Sequence, residues 1–479
     1  MSSSTYQNAY STLEVDIHAQ NLNNYPQVRI ENYPEVNQDA MAHLRYPEVV
    51  SNGSDPLGYP EKESVDPFVE TAAATTEPKI CGLRRRTFWF VLALIALVVA
   101  GIIAGVVAGL LSTRARAVDN SGAPQQTNGS ALLAHTRLAS TNFTDGSGNE
   151  NYLVFYQLDN GAIHMSAWNS SYKKWVVSPV VDGTNGISLD DVYKGTSIGV
   201  DVFRHSQSAR NIHLYWMSPN KLIKSLFRAN ISTYEPSRAE DWDIPPANDK
   251  FVASLGGSLA AYGKQCDECT NWTYFFWEAE DDTMGGAELS LPTTGVWKGL
   301  PFDKSAYLPP STNTSMALTN TAAVNGTTSL NLFYRSNTGS LSMLNFDGSS
   351  KFWGVNLPRD ISADASIVAF STGWNDTGSQ NPEPLGFQVL TVDPEVDNGV
   401  QLTYYKDSQW QKMDSEVQSL SDCASLGSMA VNKGRRIYCL IKGAEGNVEI
   451  VEWNWKGDTE GNADTFTSYD RVGVVSTSI

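Results

Sequence analysis

The chain has 479 residues, with 34 basic against 52 acidic side chains and a net charge of −18. The acidity is spread along the chain, and no basic stripe is available to neutralise phosphates, which argues against nucleic acid as a partner. Its 13 Trp, 20 Tyr, 17 Phe and 37 Gly point to many short strands joined by tight turns, not to long amphipathic helices.

Residues 1–87 are acidic, rich in Ser, Asn and Pro, and lack apolar periodicity, the composition of a disordered tail. They carry YPQV at Tyr25 and YPEV at Tyr33 and Tyr46, with a variant YPEK at Tyr59. Proline biases each tyrosine toward extended backbone, and the first three copies fit the tyrosine-x-x-hydrophobe form that a sorting adaptor reads as an added strand.

Phe88 to Leu111 is 24 residues without a charge, enough to cross a bilayer as one helix. It has no polar face and lies too far into the chain for an ordinary cleaved signal peptide. Lys79, Arg84, Arg85 and Arg86 precede it, and Arg114 and Arg116 follow, which favours a cytoplasmic N-terminus. N-x-S/T sequons occur after it at Asn128, Asn142, Asn169, Asn230, Asn271, Asn313, Asn325 and Asn375, and before it only at Asn52. That asymmetry predicts a type II single-pass protein with its large C-terminal part extracellular or lumenal. Gly101, Gly105 and Gly109 make a doubled G-x-x-x-G face on which two spans could pair into a homodimer. Cys81, beside the arginines, is a candidate for acylation. Residues 112–129 read as a polar stalk.

Residues 130–479 repeat. Six segments place a Ser before small or apolar residues: SALLA at Ser130, SIGVD at Ser197, SLAAY at Ser258, SMALT at Ser315, SIVAF at Ser366 and SMAVN at Ser428. A second, aromatic strand follows each, as in YLVFYQ from Tyr152 or RIYCLI from Arg436, then a turn such as Asp159-Asn160-Gly161 and a third strand. Trp175, Trp242, Trp297, Trp353 and Trp410 mark the ends of most units, while Trp453 and Trp455 come earlier in the last. Spacings of 67, 61, 57, 51 and 62 residues, with about four short strands per unit, predict an all-β domain, a six-bladed β-propeller.

There is no G-H…W-D signature and no Ser-x-Asp-x-Gly box. Instead L-V-F-Y-Q (Leu153–Gln157), G-A-I-H-M (Gly161–Met165) and R-I-Y-C-L (Arg436–Leu440) resemble the blades of the fungal fucose-specific lectins. That resemblance covers about 350 residues and implies pockets between blades. In each, an Arg and a Glu hydrogen-bond sugar hydroxyls, and an aromatic from the adjoining blade stacks on the sugar. At the Arg place stand Leu153, His213, Tyr274, Asn331, Phe387 or Gln388, and Arg436. At the Glu place stand Met165, Ser225, a residue near Glu288, Met343, Leu402 and Ile450. Most pockets are therefore degenerate. Blade six is the candidate site: Arg436 holds its place, Glu452 lies two residues beyond Ile450 on the same strand face, and Trp453 and Trp455 are close in sequence.

The remaining motifs carry less. Gly195-Thr196-Ser197-Ile198-Gly199 matches a nucleophile elbow, but Ser197 opens a repeated strand and five sibling serines do the same. Cys266-Asp267-Glu268-Cys269 outside the cell favours a local disulfide over a redox dithiol or zinc. Cys423 and Cys439 are candidates to pair within blade six, although hairpin register does not set them opposite each other. His135, His164, His205 and His213 show no metal spacing, and no cofactor motif is present. These readings predict a binding protein for a glycan, fucose in the first place, or for a protein ligand. The alternatives are a glycan-processing enzyme on a propeller fold and a scaffold that binds no sugar.

Overall fold

The computed structural model describes residues 131–479 except 207, 234–235, 246–248, 265–271, 291–296, 325–326, 347–350, 373–385, 394–398, 444–445, 459–461 and 479. The tail motifs at Tyr25, Tyr33 and Tyr46, Cys81, the 88–111 segment with Gly101, Gly105 and Gly109, Asn128, Cys266, Cys269, Asn271, Asn325 and Asn375 lie outside the described residues. Among the described residues no helix is long and apolar enough to cross a membrane.

The strands form six separate antiparallel sheets in chain order. Blade one holds β1 (Ala139–Thr144), β2 (Glu150–Gln157), β3 (Ile163–Asn169) and β4 (Trp175–Val181). Blade two holds β5 (Gly199–Arg204), β6 (Arg210–Met217) and β7 (Ile223–Ile231). Blade three holds β8 (Leu259–Tyr262), β9 (Trp272–Glu278), β10 (Met284–Ser290) and β11 (Trp297–Gly299). Blade four holds β12 (Met316–Val324), β13 (Thr327–Arg335), β14 (Ser340–Phe346) and β15 (Phe352–Asp360). Blade five holds β16 (Ser366–Thr372), β17 (Gly386–Val392), β18 (Val400–Lys406) and β19 (Gln409–Lys412). Blade six holds β20 (Met429–Val431), β21 (Arg436–Lys442), β22 (Val448–Trp455) and β23 (Tyr469–Val475). Each inner strand neighbours the next, and β20 returns to β1, so the blades close into a six-bladed β-propeller. In blade two the fourth position is held, among the described residues, by isolated bridges, Phe227 with Asp243 just after Trp242 and Leu222 with Val252.

The turn chemistry behaves as its residues dictate. Between β2 and β3, Asn160 Oδ1 accepts the N–H of Ala162 at 3.0 Å, and Gly161 takes φ +93°, a conformation that favours glycine.

Strand alternation gives each blade two apolar faces, and every face buries against a neighbouring sheet. Leu153, Phe155 and Met165 of blade one pack on Val200, Leu214 and Trp216 of blade two. Val154 and Tyr156 turn the other way, onto Tyr438, Leu440 and Ile450 of blade six. Blade six buries its second face, with Ile437, Cys439, Trp453 and Trp455, against Phe370, Leu390 and Leu402 of blade five.

One repeat boundary differs from the sequence reading. The inner strand of blade one is Ala139–Thr144 and not SALLA; Arg137, not Ser130, stands at the repeated serine position. In three other blades that serine staples the ring. Ser197, Ser315 and Ser428 each accept an N–H in, or just ahead of, the next blade's inner strand, at Leu259 (2.9 Å), Ile367 (3.0 Å) and Leu138 (3.3 Å). Arg137 instead sends Nη1 to Gly257 O (3.3 Å) and Ser258 Oγ (3.2 Å) in blade three. Residues ahead of it bridge back to their own blade through Leu132 and Leu158.

Ser197 is buried and opens no helix; β5 follows it. Cys423 and Cys439 form a disulfide, with S–S 2.06 Å and Cα–Cα 5.3 Å. Hairpin register did not foretell it, because Cys423 lies in a helical turn, Gln418–Ser425, ahead of β20.

Candidate functional site: the cleft between blades six and one

The hairpin register fixes the structural equivalents. Tyr438 lies opposite Glu452 in blade six as Phe155 lies opposite Met165 in blade one. Glu452, not Ile450, therefore occupies the Glu place. In blade three that place belongs to Gly286, opposite Phe276, and not to Glu288. In blade five the Arg place is Gln388, which shares its strand face with Leu390 opposite Leu402. The pairs across the six clefts are Leu153/Met165, His213/Ser225, Tyr274/Gly286, Asn331/Met343, Gln388/Leu402 and Arg436/Glu452. Blade six alone carries a cation and a carboxylate at these two positions.

Those two side chains meet. Arg436 Nη1 lies 3.4 Å from Glu452 Oε1, with the carboxylate nearly buried and the guanidinium one-fifth exposed. Tyr438, on the same face of β21, donates its hydroxyl to Glu452 Oε1 at 3.3 Å. Burial pushes the Glu452 carboxyl above its ordinary range, and the Arg436 charge and the Tyr438 hydroxyl pull it back.

Blade one supplies the opposite wall. Arg436 sits over the Tyr152 ring, 5.0 Å from its centroid, a cation–π contact. Tyr152 stacks on Trp168, its cross-strand partner, with centroids 5.4 Å apart and planes at 26°. Trp168 is half-buried, and Trp175 meets Tyr438 edge to face at 6.2 Å. A paired guanidinium and carboxylate beside a ladder of rings can fix the hydroxyls of a neutral polyol and offer a flat surface to its C–H face.

The turn Asn432–Arg436 sets this geometry. Asn432 Oδ1 accepts the N–H of Arg436 (3.2 Å), and Arg435 donates its N–H to Asn432 O (2.9 Å). Gly434 packs so closely that a Cβ there would stand 3.0 Å from the Tyr152 ring. Its N–H is taken by Asn142 Oδ1 at 3.0 Å.

Sequence reasoning brought Arg436 and Glu452 together but named the wrong aromatics. Trp453 and Trp455 alternate onto the other face of β22 and are buried in the core with Phe370 and Phe466; Trp455 Nε1 donates to Phe466 O at 3.1 Å. Tyr152 and Trp168 belong to the adjoining blade, and the alternation of blade one already set them on the face of Val154 and Tyr156.

The inner strands enclose a central channel of about 310 Å³. Lys433 reaches over the Tyr262 ring, 4.2 Å from its centroid, and Arg137 crosses from blade one to blade three. In cleft two–three, Asp201 binds His213 Nδ1 (2.9 Å) and the Tyr215 hydroxyl (3.1 Å). Among the described residues no group of three His, Cys, Asp or Glu is placed to hold a metal.

Of the sequons, Asn230 and Asn313 are exposed. Asn142 and Asn169 are buried; Asn169 Nδ2 donates to Asn151 Oδ1 at 2.8 Å.

The fold defines a class, the six-bladed β-propellers. No protein-family model and no curated relative matches the sequence. Among solved structures the chain is similar to the Aleuria aurantia lectin, described as a fungal lectin with a six-bladed β-propeller fold and a novel fucose recognition mode. Identity is 13%, TM-score 0.52, and the match covers 73% of this chain and 99% of the lectin. A variant of that lectin in complex with α-methyl-L-fucoside matches at 14% identity and TM-score 0.52, over 73% and 98% of the two chains. A variant of AofleA from Arthrobotrys oligospora matches at 14% identity and TM-score 0.50, over 73% and 89%. At these identities the likeness is one of fold.

Proposed function

We propose that the protein is a type II single-pass membrane protein whose extracytoplasmic propeller binds a glycan in the cleft between blades six and one, without catalysis. The observation that carries the binding is the meeting of Arg436 and Glu452 against Tyr152 from the next blade, one cleft of six with that chemistry. The fucose recognition described for the Aleuria aurantia lectin makes fucose the first ligand to try. The anchor at 88–111, the preceding basic cluster and the downstream sequons support the topology. Through Gly101, Gly105 and Gly109 the anchor pairs with a second copy, and Tyr25, Tyr33 and Tyr46 offer the tail to a sorting adaptor. Exposed Asn230 and Asn313 are the favoured glycan acceptors among the described sequons.

A second reading rests on the same ion pair: Arg436 lies where the last blade meets the first, so the cluster would serve only to close a scaffold. Titration of the detergent-solubilised full chain with L-fucose, and of its Arg436→Ala and Glu452→Gln variants, separates the two. Binding by the native chain that falls at least tenfold in both variants supports the pocket. A folded chain that ignores millimolar fucose and every spot of a glycan array leaves the scaffold.

A further inference from the structure

The row of rings that walls the Arg436 cleft recurs in blade five. Tyr152, Trp168 and Trp175 are cross-strand partners in blade one, and the same register positions in blade five hold Phe387, Tyr405 and Trp410. Their centroids are 5.9 Å apart for Phe387 and Tyr405 and 5.3 Å for Tyr405 and Trp410. Trp410 meets Phe333 of blade four edge to face at 5.6 Å, as Trp175 meets Tyr438 in the other cleft. The row therefore faces blade four. Arg359, from β15, crosses to blade five and donates to Thr403 Oγ1 (2.8 Å), Gln401 Oε1 (2.8 Å), Leu402 O (2.9 Å) and Met413 O (2.6 Å). These four bonds fix the spacing of the two walls.

The blade-four wall is neutral and polar. Asn331 shares the strand face of Phe333, and cross-strand pairing sets Thr319, Asn331, Asn345 and Trp353 in one row on that face. Met343 and Val355 stand in the next row, opposite and beyond Phe333. Asn345 Nδ2 donates to Asn331 Oδ1 at 2.9 Å. That bond leaves Asn331 Nδ2 as a donor and Asn345 Oδ1 as an acceptor, neither with another partner among the described residues. Thr319 is 4% exposed, and its hydroxyl also has no hydrogen-bond partner among the described residues. A buried hydroxyl in that state is costly unless a group from outside the chain completes it. Trp353 and Val355, at the outer end of the cleft, are 52% and 39% exposed.

We infer that the cleft between blades four and five is a second binding site and that it takes an N-acetylhexosamine. An acetamido group carries one acceptor and one donor, and the Asn331–Asn345 pair presents one donor and one acceptor to meet them. The acetyl methyl needs apolar contact, which Met343, Val355 and Trp353 supply. The Phe387, Tyr405 and Trp410 row offers flat surface to the C–H face of the sugar ring. A peptide also brings secondary amides, but it has no flat C–H ring for that row. The site shares no residue with the Arg436 cleft and does not depend on it.

The test titrates the full chain, in a detergent without a sugar headgroup, with methyl N-acetyl-β-glucosaminide and with methyl β-glucoside, which has a hydroxyl in place of the acetamido group. The N-acetyl sugar should bind about tenfold more tightly, the worth of roughly one net hydrogen bond. That preference should hold as sodium chloride rises, because no charge is engaged. Trp353→Ala and Asn345→Leu should each bring the ratio of the two affinities to about one, and Arg436→Ala should leave it unchanged. Trp353 is exposed, so its variant keeps the test valid should Asn345→Leu fail to fold. Equal affinities in the native chain, a preference that survives Trp353→Ala, or one that Arg436→Ala abolishes would overturn the inference. N-acetylalanine methylamide binding as tightly as the sugar would overturn it in favour of a peptide ligand. A chain that ignores fucose but shows the acetamido preference loses the Arg436 pocket and keeps this site.

Discussion

At the residue scale, two buried titratable groups pull the stability of the propeller in opposite directions. His164 is buried, its Nδ1 has no hydrogen-bond partner among the described residues, and burial pushes its pKa down to about 4. Between pH 6.5 and 4 the unfolded chain takes up a proton there that the folded chain refuses, so stability falls with falling pH across that window. Glu278 is buried at the end of β9, with Oε1 accepting the Asn313 N–H at 3.0 Å. Burial pushes its carboxyl up to about 7. From pH 4.5 to 7 the unfolded state loses a proton that the folded state keeps, so stability falls with rising pH and stays reduced above 7. The two slopes offset each other near pH 5–6, and single variants should separate them. Glu278→Gln should gain on the order of 2 kcal/mol at pH 8 and nothing near pH 4. His164→Leu should flatten the loss on the acid side and leave pH 8 little changed. Denaturant melts at half-unit pH steps read both, and parallel curves for native and variant chains would refute the assignment. Neither group was legible in the sequence as more than an ordinary His and Glu, because each shift comes from neighbours distant in the chain.

At the element scale, what the sequence made plain was whatever a single hairpin determines. The alternation of β2 and β3, the Asp159-Asn160-Gly161 turn and the shared face of Arg436 and Glu452 follow from strand period and turn chemistry alone. What failed needed contacts between elements. SALLA matched the repeat by composition, whereas the true inner strand, ASTNFT, begins two residues after an arginine that replaces the stapling serine. Trp453 and Trp455 were close in sequence to the site, but adjacent strand residues point to opposite faces. The Cys423–Cys439 bridge ties a helical turn to β21 across 16 positions, outside any hairpin register. A cross-link closing a loop of that size removes roughly 3 kcal/mol of unfolded-chain entropy. The Cys423→Ser, Cys439→Ser double variant should therefore lose about 2–3 kcal/mol in chemical unfolding while keeping the blade-six register. An unchanged midpoint would mean that the thiols contribute by packing alone.

At the scale of the molecule, all six blades are contiguous in sequence, and among the described residues no strand from one end completes a blade at the other. The ring is therefore closed where blade six meets blade one by the same kind of contact that joins the other blades. Ser428 Oγ accepts Leu138 N–H and donates to Thr136 O at 2.8 Å; Ser166 Oγ and the Ser476 carbonyl also bond across it. Apolar burial between Tyr156, Tyr438, Leu440 and Ile450 supplies the bulk. If that junction is equivalent to the rest, covalent continuity can be moved. A permutant of 121–479 with its ends joined by a flexible linker of about ten residues, and opened at exposed Asp303–Lys304 between blades three and four, should unfold cooperatively within a few degrees of the parent. It loses a surface ion pair, Lys304 with Asp281, which solvent screening leaves weak. Opening instead at Thr338–Gly339 splits the β13–β14 hairpin and makes its pairing non-local, so that permutant should melt distinctly lower. The first permutant also makes the six–one junction covalent, which leaves the Arg436–Glu452 contact intact. A large loss of stability there, with the hairpin-opened form no worse, would show instead that the ring needs its break between blades six and one.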